Sequence, residues 1–169
     1  AKRIIQGKIY PMSKLKNSPL LSFLLTLIVI SIMTLFGPEE ATLGAGVRLV
    51  YLHGAWVMTA ELLFILAALA GLVAFIARKD AFHRWSAALG RSGIFYWITY
   101  LPLSMLAMQA NWNGLFLAEP RFKFALTFAI VGLLLQIGLW MIDLNWLTAT
   151  ANIFFIAVLR YIFATAENI

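Results

Sequence analysis

Five long apolar stretches divide this chain, at about residues 19–36, 51–77, 86–110, 122–141 and 147–166. Each is long enough, at about 1.5 Å of rise per helical residue, to cross the roughly 30 Å of hydrocarbon in a bilayer. Hydrocarbon offers no hydrogen bonds, so a spanning segment must satisfy its backbone internally, and a helix does this segment by segment. Composition agrees: 63% of the 169 residues are hydrophobic and 12% are charged, against about a quarter charged in a soluble domain. A water-soluble fold of this length has too little interior to hide so much apolar side chain. The expected fold is all-α, an integral membrane bundle of five transmembrane helices forming a single domain over residues 1–169, with the lipid bilayer as its main partner.

The first apolar run follows a basic segment, AKRIIQGKIYPMSKLKN. It is long for the core of a signal peptide and GPEEATLG offers no A-x-A cleavage site, so it is read as a retained anchor. Lys and Arg counts set the orientation. With the N-terminus inside, the inner segments hold Lys2, Arg3, Lys8, Lys14, Lys16, Arg78, Lys79, Arg84 and Arg91. The outer side holds Arg48, Arg121, Lys123 and Arg160. That bias predicts a cytoplasmic N-terminus and a multi-pass protein of a bacterial inner (plasma) membrane. The net charge of +6 is then a matter of orientation and anionic lipid, and nucleic acid is not an expected partner.

Several chemistries are excluded by residue supply. There is no cysteine, hence no disulfide, thiolate metal site or covalent haem attachment. His53 and His83 are the whole imidazole supply, which rules out a multi-histidine metal centre within the chain. Glu39 and Glu40 form a carboxylate pair in the first outer loop, and no nucleophile–base set shares one depth in the membrane. The chain is not expected to be an enzyme.

His53 lies near the outer end of the second span, in the stretch VRLVYLHGAW. A neutral imidazole there suits the iron of haem or the magnesium of a chlorophyll. Gly54 and Ala55 leave room for a flat macrocycle, and Trp56 lies three residues on, roughly on the same face. The alternative is an interfacial histidine bonded to a neighbouring loop. The stretch resembles the opening of the second span in the cytochrome c assembly family of haem-handling membrane proteins, through Arg48, Tyr51, His53, Ala55 and Trp56. That resemblance implies haem at the outer face with His53 on the iron, and Tyr51, Trp56 and Trp112 as companions in the cofactor site. The family's tryptophan-rich outer loop ending in Trp-Asp is replaced here by NWNGLFLAEPR, with one tryptophan. Its second outer histidine has no counterpart, since His83 lies in the basic inner loop ARKDAFHRW. Either a partner supplies the second iron ligand or this is a relative without haem.

Three further groups stand out. Glu61, two turns below His53, is an ionisable residue within a span, where a partner or a water-filled cavity is required. Arg160 in the fifth span lies in the same outer half, so a structural Glu61–Arg160 ion pair is expected. A proton or substrate role for Glu61, as in a small transporter, is the alternative. Gln109, Asn111 and Asn113 are read as capping and turn residues, with head-group binding as the alternative. Gln136 and Asn152 join helices by hydrogen bonds, and the small pair Ala67 and Gly71 marks close packing. A second functional reading is a non-catalytic accessory subunit of a respiratory or photosynthetic complex, held by other membrane protein subunits.

Overall fold

The computed structural model describes residues 18–166, and the basic segment 1–17 lies outside the described residues. The described residues form five helices and no strand: α1 (Pro19–Leu35), α2 (Val47–Ala77), α3 (Asp80–Trp112), α4 (Pro120–Ile142) and α5 (Asn145–Ala166). α2, α4 and α5 are long and apolar enough to cross a membrane, and α1 is a shorter apolar helix. By contacts the chain falls into two compact units, residues 1–38 and 39–169, where the sequence suggests one bundle.

In the first unit α1 starts at Ser18, whose Oγ accepts from the Leu21 amide at 3.5 Å, with Pro19 in the first turn. Proline suits that position because the amide it lacks would have no helical partner. Apolar side chains cover the whole circumference of α1, from Leu20 and Phe23 to Ile32 and Met33.

In the second unit α3 packs against α2, α4 and α5, and α5 packs against α2 and α4. That central place explains why α3 is less apolar than its neighbours. Its Ser86, Gly90, Gly93, Trp97, Tyr100 and Ser104 are buried against protein. α2 offers a small-residue stripe, Ala60, Ala67, Ala68, Gly71 and Ala74, interrupted by Phe64. Gly71 fulfils the packing role expected of it: a Cβ there would stand 3.2 Å from the Cβ of Ala149.

An aromatic cluster fills the middle of this unit. Trp97 is 1% exposed, and its ring lies 5.0 Å from Tyr100, 5.8 Å from Phe163 and 6.0 Å from Phe64. Its Nε1 donates to the Ala125 carbonyl at 3.0 Å, so the one polar atom of the buried indole is satisfied. Towards the other end of α3, Asn152 joins three helices. Its Nδ2 donates to Ser86 O at 2.9 Å and Ser86 Oγ at 3.1 Å, and its Oδ1 accepts from Gln136 Nε2 at 2.9 Å. The expected bridging by Gln136 and Asn152 is therefore present, with Ser86 as a third member.

Two sequence boundaries are corrected. The second span starts at Val47 rather than about residue 51, because α2 takes in the whole of VRLVYLHGAW without a break. ARKDAFHRW is not a loop. It is a turn at Arg78 and Lys79 followed at once by α3 from Asp80, whose carboxylate favours a helix N-terminus. His83 is accordingly helical and half-buried, edge-on to Phe75 at 5.4 Å between ring centroids, rather than solvated.

Candidate functional site

The sequence feature that builds the site is a stripe on α2. Val50, His53, Val57 and Glu61 recur at intervals of three and four, so they share one face. They form one wall of a cleft of about 580 Å³ in the 39–169 unit. Trp97, Tyr100, Ser104 and Met108 of α3 form a second wall. Trp112, Phe116 and Glu119 border it from the end of α3 and the following loop, and Arg121, Phe122 and Ala125 from the start of α4. Phe163 of α5 completes the lining. The volume lies within the range of small-molecule and cofactor pockets, which run from about 300 to 1,000 Å³.

His53 sits 5.5 Å from Tyr100 between ring centroids, at an interplanar angle of 55°. Its Nδ1 is buried and has no hydrogen-bond partner. Any ligand of this imidazole must therefore use Nε2. Glu61 does not stand free in the cleft wall: Arg160 Nη1 donates to its Oε2 at 2.9 Å, the pairing expected from sequence. Glu119 is engaged as well, accepting from the Phe122 amide through Oε2 at 2.7 Å as the cap of α4. Arg121 borders the cleft and is exposed.

Of the four residues that the sequence groups around a cofactor, the structure brings two together. His53 and Trp112 both line the cleft. Tyr51 is 54% exposed and lies off it. Trp56 turns instead to α3, donating from Nε1 to Thr99 Oγ1 at 2.8 Å beside Tyr96. A helix turns by about 100° per residue, so Tyr51 and His53 point well apart. Gly54 and Ala55 likewise do not line the cleft, and a Cβ on Gly54 would meet nothing within 4 Å. Access to His53 is opened by the spacing of α2, α3 and α4 rather than by those small residues.

The amides at the end of α3 serve structure. Asn111 Nδ2 donates to Gly46 O at 3.1 Å and Ala107 O at 2.8 Å, fastening the start of α2 to the end of α3. Asn113 ends α3 in the left-handed conformation, at φ 51°. Arg48 pairs with Glu39 at 3.0 Å across the first loop. Tyr100, Ser104, Met108 and Phe116 were missed in the sequence. The only trace they leave is the three- and four-residue spacing of 97, 100, 104 and 108. No group of three metal-ligating side chains occurs among the described residues. No family model, curated protein or solved structure matches the chain.

Proposed function

We propose that this chain is a multi-pass protein of a bacterial inner membrane, with five spans and a cytoplasmic N-terminus, that binds haem in its outer cleft through His53. On this reading it is a divergent relative of the cytochrome c assembly proteins and handles haem without catalysing a reaction. The observation that carries the proposal is His53 in the wall of a largely apolar cleft, with Nδ1 buried and Nε2 left as its only coordinating atom.

The residues present fit the group. A haem needs an axial ligand, apolar faces for its ring and cationic or polar partners for its propionates. His53 would hold its iron. Trp112 and Phe116 supply flat apolar surface. Arg121, the one cation on the lining, is the propionate partner. Met108 and Tyr100 are further lining residues of types that ligate haem iron. Bound haem supplies a redox-active iron. The Glu61–Arg160 pair holds α2 and α5 together below His53 and keeps the carboxylate compensated.

The test is titration of the detergent-purified protein with haemin. Appearance of a Soret band that saturates at one haem per chain is expected, and His53→Ala should abolish it. Arg121→Ala should weaken binding while leaving the band position unchanged. An identical spectrum for the wild type and His53→Ala would overturn the assignment.

A further inference from the structure

We propose that a second cleft, at the opposite end of α3, binds the phosphate of an anionic phospholipid through Arg84 and Arg91. This inference rests on the membrane placement proposed above and is independent of haem at His53.

The two arginines are seven residues apart on α3, two helical turns, with Ala87 between them on the same face. All three line a cleft of about 370 Å³. Gln136, Leu139 and Trp140 of α4 form the facing wall, and Asp143, Asn145 and Thr148 close it from the α4–α5 turn and α5. Neither arginine is in an ion pair among the described residues, where the pairs are Arg48–Glu39 and Arg160–Glu61. Two guanidinium groups thus share a small cavity with one carboxylate, Asp143, which forms an ion pair with neither. That arrangement is held in place, because Gln136 is tied to the Ser86–Asn152 network at the base of the same helices.

Two arginines against one aspartate leave a single net positive charge, which suits the monoanionic phosphodiester of a lipid, and guanidinium is the side chain whose fork matches phosphate oxygens. The surroundings favour a lipid over free phosphate. Trp140 is 69% exposed at the cleft, as an indole is at head-group depth. Ile137 and Met141 continue the exposed apolar surface of α4 beside it, where acyl chains lie. Arg78 and Lys79 stand at the same end of the unit, in the turn before α3, and raise its attraction for an anionic leaflet. Asp143 and Asn145 bring polar groups that can pair with head-group hydroxyls, which points to a glycerol head group rather than a bare phosphate monoester.

Native mass spectrometry of the detergent-purified protein, with phosphatidylglycerol and phosphatidylcholine of the same acyl chains, tests this. The protein should retain phosphatidylglycerol preferentially. Arg84→Ala and Arg91→Ala should each weaken retention about fivefold, and Lys123→Ala, at the opposite end of α4 and outside the cleft, should leave it unchanged. Arg84→Lys with Arg91→Lys keeps both charges and should retain most binding if the alanine variants do not fold. Trp140→Ala should weaken the lipid without altering any competition by glycerol 3-phosphate. Equal retention of the two lipids, or arginine variants that bind like the wild type, would overturn the proposal. Displacement by glycerol 3-phosphate at matching concentration would reduce the site to a free-anion site and overturn the lipid assignment. A His53→Ala variant that still retains phosphatidylglycerol separates this outcome from the fate of the haem reading. A chain recovered without membrane or detergent would remove the basis of both.

Discussion

Asn152 is 4% exposed and carries three hydrogen bonds to two other helices. In apolar surroundings, interhelical hydrogen bonds of this kind contribute about 1–2 kcal/mol in peptides and less in folded bundles. Asn152→Leu also strands Gln136 Nε2 and Ser86 Oγ, so a loss of about 1–2 kcal/mol is expected. The check is the unfolding midpoint in detergent against Thr150→Ala, which removes only a bond to its own helix and should be nearly neutral. Glycines give a second contrast. A Cβ on Gly93 would come within 2.6 Å of the Phe64 ring, which is buried and cannot swing away. Gly93→Ala should therefore cost about 1–3 kcal/mol by overpacking. A Cβ on Gly138 meets nothing within 4 Å, so Gly138→Ala should stabilise by about 0.5–1 kcal/mol through helix propensity. These differences are invisible in the sequence, where both are glycines within apolar runs. What decides them is which neighbour faces the residue, and that is a property of the packed helices.

At the level of elements, the helix interiors were legible because they are long apolar runs, and α4 at 120–142 nearly matches the stretch 122–141. Helix ends were less so. The turn of α2 before Tyr51 contains Arg48, and that of α3 before Ser86 contains Asp80, His83 and Arg84; these charged and polar residues lie inside the helices, beyond the stretches that hydropathy delimits. The loop between α1 and α2 has a legible anchor in Glu40. Its Oε2 accepts from Thr42 Oγ1 and from the amides of Thr42 and Leu43 at 3.0 Å each. The Thr42 hydroxyl, then the Leu43 amide, hold its carboxyl below the ordinary 4.5. A depressed carboxyl stabilises the folded loop fully above the unfolded value, and the contribution fades as pH falls through the folded one. The protection of the Leu43 amide, relative to an unstructured amide at the same pH, should therefore be high at neutral pH and fall as pH drops below 4.5. In Glu40→Gln that protection should be low throughout, with no acid transition. The α2–α5 joint behaves differently, because it carries opposite charges. Arg160→Leu leaves Glu61 uncompensated and should destabilise by at most about 3 kcal/mol. Combining it with Glu61→Leu should recover most of that loss, since removing both partners is far cheaper than removing one.

On the scale of the whole molecule, the two ends of the 39–169 unit differ in charge. Arg78, Lys79, Arg84 and Arg91 outnumber Asp80 and Asp143 at one end, while at the other Glu39, Glu40 and Glu119 balance Arg48, Arg121 and Lys123. That polarity was readable from the sequence. The two clefts were not, because one is assembled from four helices and the other from three, and only the heptad spacing of Arg84 and Arg91 hinted at the second. Polarity also fixes a test of orientation. The chain contains no cysteine, so a thiol introduced at one position is the sole target for a membrane-impermeant maleimide. Glu39→Cys should be labelled in intact cells from outside, and Lys79→Cys only after the membrane is opened. α2 runs from Val47 to Ala77 between those positions, about 45 Å of helix at 1.5 Å per residue, more than the hydrocarbon thickness. One crossing therefore separates the two labels whatever the other helices do. Labelling of both from the same side would mean that α2 does not cross the membrane. The outer cleft at His53 and the lipid site at Arg84 and Arg91 would then lose their assigned leaflets at once.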